Sequence, residues 1–205
     1  FNLSQVPFSN PNDWLFNSGI ENIDVIDKLL IIGCDPRREA AVLNSRIRQR
    51  WLTGGLDILT ISTPEDLTYK FNSLGNDISI LSDLNTQIKI KSFFKNANFP
   101  MVILGDSILS TSQGNKIHKI VKNISQEANL IRKNWNGFNV LNKYASRVGG
   151  LSVGFVPYEG GLCSVEIKKA LKSKKIKVLF LIEADDFIIN NNDLKDVFII
   201  YIGHH

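Results

Sequence analysis

The residues of this chain best placed to do chemistry lie where an apolar run meets a turn. Leu29-Leu30-Ile31-Ile32-Gly33 is apolar throughout and stops at Gly, as a buried strand does, and Cys34-Asp35-Pro36-Arg37-Arg38 follows it. Asp35 is placed to N-cap a helix with Pro36 at its first position. In open α/β sheets, ligands collect at the carboxyl ends of strands, where helix N-termini turn free N–H groups toward anions. Arg37 and Arg38 would stand beside that end. A phosphate or nucleotide is therefore one reading of residues 33–38, and a capped helix start with solvated arginines is the other. Neither G-x-G-x-x-G nor G-x-x-x-x-G-K-S/T is present, which favours the second.

A second junction, Glu183-Ala184-Asp185-Asp186, places three carboxylates within four residues. They could bind a metal, but acids at a strand end equally cap the next turn and sit in water. Cys34 stands where a helix dipole could lower a thiol pKa, yet no His is placed to make it a nucleophile. His118 has no Glu or His at metal spacing and is expected at the surface or the edge of the core. His204 and His205 end the chain. The run Lys168-Lys169-Ala170-Leu171-Lys172-Ser173-Lys174-Lys175-Ile176-Lys177 suits a helix C-terminus, with an acidic partner surface as the functional alternative.

The elements that must hold these residues alternate. A helix is expected from Pro36 to about Trp51, with Leu43, Ile47 and Trp51 on one stripe, closed by Thr53-Gly54-Gly55. Leu56–Ile61 reads as a strand, Thr63-Pro64-Glu65-Asp66 as the start of a turn or short helix, and Ile78–Leu81 as a weak strand. Asn85–Lys95 reads as helix, Pro100–Gly105 as a third buried strand, Gln113–Gln126 as helix and Phe138–Val148 as helix closed by Gly149-Gly150. Residues 151–162 are glycine-rich loop, Val165–Leu171 helix, and Lys177–Ile182 and Val197–Ile202 strands. Strands alternating with helices predict an α/β fold on an open, mainly parallel sheet with helices on both faces. An internal division near 149–162 is an alternative to one continuous region over 1–205.

Composition bounds the rest. The 205 residues are 43% hydrophobic and 21% charged, which excludes a disordered or fibrous chain. No apolar run approaches the roughly 18 residues of a membrane span. A net charge of +4 is too mild for a nucleic-acid footprint. Two cysteines, Cys34 and Cys163, give neither a disulfide framework nor a Cys-x-x-Cys pair, so a reducing compartment is expected and the sequons at Asn2 and Asn123 would carry no glycan. The start on Phe1 rather than Met fits a processed or partial product. Abundant Asn, Ile and Lys suggest an AT-rich genome, such as an organelle's.

Leu30–Ala40 followed by Asn44-Ser45-Arg46-Ile47-Arg48 resembles the large iron–sulfur subunit of respiratory complex I, in its C-terminal, molybdopterin-oxidoreductase-like region. Trp14-Leu15-Phe16-Asn17, Asp66-Leu67-Thr68-Tyr69 with Leu74-Gly75, Pro100–Gly105, Val178-Leu179-Phe180-Leu181 with Ala184-Asp185, and Phe198-Ile199-Ile200-Tyr201 with Gly203-His204-His205 match in the same order. The resemblance covers nearly the whole chain from about residue 12. It implies Rossmann-like units in a non-catalytic piece of the peripheral arm of NADH:ubiquinone oxidoreductase. No catalytic, cofactor-binding or metal residue is then expected in this chain, and the iron–sulfur clusters lie elsewhere in the subunit or complex. The alternative is an oxidoreductase domain still holding a molybdopterin or nucleotide at 33–38. Three departures oppose it: Asp35 stands where the related loop has Asn, Ala41 where Pro is common, and Glu183 where Gly is usual.

The implied partners are other peripheral-arm subunits, among them a chain carrying the iron–sulfur portion, with no nucleic acid. The implied place is the matrix side of the mitochondrial inner membrane, with the cytoplasmic side of a bacterial plasma membrane as alternative. In the family the Gly-His-His loop continues into further strands. A sheet that stops at His205 is expected to leave unpaired edges or bare apolar faces, to be completed by a separate chain or a remainder of this one.

Overall fold

A computed structural model describes residues 9–63, 66–184, 187 and 189–203. The described residues up to 154 form one unit and those from 155 onward another. In the larger unit β1 (Lys28–Ile32) leads into α1 (Pro36–Glu39) and α2 (Ala41–Leu52). Then come β2 (Asp57–Ile61), β3 (Asn72–Gly75), α3 (Leu84–Phe94), β4 (Pro100–Gly105), α4 (Asp106–Leu109) and α5 (Gly114–Glu127). A small antiparallel hairpin of β5 (Ile131–Arg132) and β6 (Trp135–Asn136) precedes β7 (Phe138–Leu141) and α6 (Ala145–Ser152).

Five strands pair in the order β3-β2-β1-β4-β7, every pair parallel. Because β1 and β4 are buried on both faces, their sequences are continuously apolar rather than alternating. Leu30, Ile32, Val102 and Leu104 face α3 and α5, where Ile90, Phe94, Ile117 and Val121 meet them. Leu29, Ile31, Met101 and Ile103 face α2 through Leu43 and Ile47. Each fully buried Ile or Leu of this kind contributes about 1.5–3 kcal/mol.

The β7 edge is covered by a strap from the N-terminal side. Phe16 bridges Asn139, Val140 N–H donates to Leu15 O at 3.0 Å, and Asn142 Nδ2 donates to Trp14 O at 2.7 Å. Asn139 is the node. Its Oδ1 accepts from Ser18 N–H, and its Nδ2 lies within bonding range of Ser18 Oγ, Val102 O and Gly137 O. Ile23 and Ile26 anchor the strap by complete burial.

The smaller unit holds α7 (Ser164–Lys172), β8 (Val178–Ile182) and β9 (Phe198–Ile202), the two strands pairing in parallel. Cys163 caps α7, and Glu166 accepts from the Cys163 N–H at 2.8 Å.

Open parallel sheet and flanking helices agree with the α/β expectation, while several elements differ from it. The helix expected over 36–51 breaks at Ala40, whose backbone (φ −150°, ψ 67°) is not helical. Residues 78–82 form a 3₁₀ turn rather than a strand, because the Asp77 carboxylate accepts from Ser79 N–H; the strand lies upstream as β3. Phe138–Leu141 is a strand, not the start of a helix, since β4 and the strap supply its partners on both sides. The helix expected to close at Gly149-Gly150 instead begins at Ala145 and runs through them. Pro64 and Glu65 of the expected turn lie outside the described residues.

Candidate functional site

In this strand order the topological switch point falls between β1 and β4, so the crevice beyond their carboxyl ends is where a ligand belongs. Two junctions meet there. At the first, Gly33 adopts φ 57° and its N–H donates to Ile61 O at 2.9 Å. Asp35 caps α1: its Oδ1 accepts from Arg38 N–H at 3.3 Å, while Glu39 Oε1 accepts from Asp35 N–H at 2.7 Å. Two carboxylates thus take the Asp35 and Arg38 N–H groups. The arginines are also engaged, Arg37 with Asp66 and Arg38 with Asp35 at 3.6 Å. Asp66 is held below the usual carboxylate range by the Thr68 N–H first and the Arg37 guanidinium second.

The second junction interlocks with the first. Ser107 Oγ donates to Gly33 O at 2.8 Å. A Cβ added to Gly105 would overlap Gly33 O and stand 2.7 Å from Cys34 Cβ, and one added to Gly33 would overlap the Ile108 side chain. Over this closure Arg147 of α6 pairs with Asp106, their side chains only 10% and 8% exposed. A cofactor phosphate would have to displace the Ser107 and Ile108 contacts and face Asp35, Glu39 and Asp106.

Cys34 is buried beneath the first junction, and burial, reinforced by Glu39 and Asp35, pushes its thiol far above the ordinary value. This is opposite to the dipole effect considered from its position, and it leaves a protonated, unreactive thiol. Tyr69 OH is likewise pushed up by burial.

Within the larger unit, the other candidate residue does not join this crevice. His118 is fully buried rather than at the core edge: its Nε2 lies 2.8 Å from Asp13 O, its ring stands edge-on to Phe138, and burial lowers its pKa. Asp13 also pairs with Lys122, so His118 serves the strap. Glu183 follows β8 with φ 48° and its N–H donates to Ile202 O at 2.9 Å; Asp185 and Asp186 lie outside the described residues, as do His204 and His205. Among the described residues, no three His, Cys, Asp or Glu side chains converge as metal ligands, and no helix is long and apolar enough to cross a membrane. In the basic run Lys168 lies over the Phe187 ring at 4.9 Å, and Lys174 Nζ donates to the carbonyls of Asn192 and Lys195.

Sequence reasoning missed Gly105, Ser107, Ile108 and Arg147. The available signal was that Pro100–Gly105, like Leu29–Gly33, is an apolar strand that ends on Gly with an acid within two residues.

The chain is 36% identical over 203 residues to a subunit of the NADH-quinone oxidoreductase of Rickettsia typhi, covering 98% of this chain and 28% of that protein. It is 37% identical over 198 residues to the mitochondrial NADH-ubiquinone oxidoreductase 78 kDa subunit of Neurospora crassa, covering 95% and 25%. It thus spans about a quarter of the length of these curated relatives. The formyltransferase/hydrolase complex of Methylorubrum extorquens shares the fold at 12% identity, with a TM-score of 0.57 over 88% of this chain and 58% of that one. The molybdopterin oxidoreductase family model matches residues 3–205, and the chain belongs to that family.

Proposed function

We propose that this chain is a structural piece of the peripheral arm of respiratory complex I, supporting NADH-to-ubiquinone electron transfer carried by other modules and holding no cofactor of its own. Its relatives are complex I subunits in bacteria and in a mitochondrion. The observation that carries the non-catalytic part of this reading is the filled crevice. Gly33, Gly105, Ser107 and Ile108 pack against one another at the switch point, and Asp35 and Glu39 accept from the Arg38 and Asp35 amides. A scaffold gains rigidity from such closure, whereas a cofactor site needs the room.

Its partners are then other complex I subunits, including one that carries the iron–sulfur portion. Its place is the membrane-peripheral side of that assembly: the matrix face of the mitochondrial inner membrane, or the cytoplasmic face of a bacterial plasma membrane. Disrupting the β1–β4 core with Ile31→Asp tests the reading on native gels of membranes from cells carrying the variant. Loss of the assembled complex in proportion to loss of NADH oxidation is expected. Normal assembly with selectively abolished catalysis would point to an active site in this chain and overturn it.

A further inference from the structure

Asn136-Gly137 is the single Asn-Gly step of the chain. A glycine nitrogen that follows an asparagine can close on the side-chain carbonyl carbon, because no Cβ obstructs the approach and the glycine backbone turns freely. The fold needs both residues where they stand. A Cβ added to Gly137 would overlap Pro100 O, so a side chain there collides with backbone. Asn136 Oδ1 accepts from Phe138 N–H at 3.2 Å, at the first residue of β7. A labile step is thus built into the junction of β6 and β7.

The folded chain holds that step away from reaction. Gly137 is buried; its N–H donates to Leu130 O at 2.8 Å, and its carbonyl accepts from Val102 N–H at 2.8 Å. The Asn136 carbonyl accepts from Ser18 Oγ of the strap at 2.7 Å. The peptide joining the two residues is therefore fixed on both sides. Ring closure requires its nitrogen to give up the proton bonded to Leu130 O, and its carbonyl to turn away from Ser18. A buried, bonded amide of this kind reacts through local opening.

We propose that Asn136 is a self-modification site gated by the strap, kept as the amide while Ser18 and Leu130 hold the Asn136-Gly137 peptide and converted to isoaspartate when they release it. On opening, the Gly137 nitrogen bonds to Asn136 Cγ. Its proton passes through solvent to the departing side-chain nitrogen, which leaves as ammonia, and a succinimide remains. Water then opens the ring. Attack at Cγ gives aspartate, and attack at the main-chain carbonyl carbon of Asn136 gives isoaspartate; nothing is oxidised or reduced. Isoaspartate adds one carbon to the main chain before Gly137 and puts a carboxylate where Ser18 Oγ met a carbonyl. The bonds of Gly137 to Leu130 and Val102 then lose register, and the strap no longer closes over β7.

The test incubates the full-length protein in mildly alkaline buffer and follows the peptide containing Asn136 by mass spectrometry and by labelling with an isoaspartate methyltransferase. Folded wild type, wild type in urea and folded Ser18→Ala are compared. In urea, Asn136 is expected to convert ahead of the other asparagines. The folded protein should convert at least about tenfold more slowly, with Ser18→Ala between the two. Equal rates in the folded protein and in urea, or no preference for Asn136 in urea, would overturn the site. A folded Ser18→Ala that converts at the wild-type rate would overturn the strap as its gate. If Ser18→Ala does not fold, the comparison of folded wild type with wild type in urea decides alone.

Discussion

The two parallel sheets of this chain are built from similar sequences and end in opposite states. Val178-Leu179-Phe180-Leu181-Ile182 is as apolar as Leu29-Leu30-Ile31-Ile32, but the first ribbon has a bare face while β1 is buried along Leu29–Ile32. In the larger unit α2, α3, α5 and the strap cover the five strands. In the smaller, Leu171 and Leu179 alone are buried among the described residues. Apolarity along a strand therefore reports what the strand requires, and the surrounding chain decides whether the requirement is met locally. The larger unit uses its own residues even at the switch point, where other α/β proteins leave room.

Substitutions should separate the two regions. Phe138→Ala, in the closed core, is expected to cost about 3–5 kcal/mol by urea denaturation; a loss below about 1 kcal/mol would mean that the β7 region is not part of that core. Arg147→Ala strands Asp106 as a buried, unpaired carboxylate and should cost a comparable 3–5 kcal/mol, while Arg147→Met with Asp106→Leu should cost less than either single change. Thermal melts of Arg147→Ala, of the double variant and of its two single changes check this.

Gly105→Ala drives a Cβ into the Gly33 carbonyl, for a loss of about 1–3 kcal/mol. Gly149→Ala, in open space within α6, should instead gain about 0.5–1 kcal/mol. Equal melting shifts for the two would show that the interlock at the crevice is not tight.

Acid should act through His118. Its folded pKa lies below the ordinary 6.5, so the unfolded chain takes up the proton more readily. Stability is then full above pH 6.5 and is lost as pH falls through 6.5 toward the folded value. His118→Phe should flatten stability against pH across that window, measured by chemical denaturation at closely spaced pH. The smallest effect is expected at the bare face: Phe180→Ala should change stability by less than about 0.5 kcal/mol, and a core-sized loss would mean that the ribbon is already covered.

The sequence made the central strands legible because Leu29–Ile32 and Pro100–Leu104 are apolar without interruption and end at Gly33 and Gly105, and β2 is broken only by Thr60. β3 escaped because Asn72-Ser73-Leu74-Gly75 has neither β-branched nor aromatic residues; only pairing with β2 makes it a strand. β7 was misread because Asn139 and Asn142 look solvent-facing, when they are in fact bonded to the strap. At the candidate site the capping of α1 by Asp35 could be read from residue types. The closure of the crevice could not, since Ser107, Ile108 and Arg147 reach it only through the fold.

The central claim is that this chain works inside complex I without a cofactor of its own. Purification of the native assembly through a tag on this chain, with mass spectrometry of the co-purifying subunits and molybdenum and phosphate analysis of the isolated chain, tests it most directly. The account predicts a large membrane assembly with iron on other subunits and neither molybdenum nor nucleotide phosphate on this one. Recovery of a small species carrying molybdenum or a bound nucleotide would contradict it.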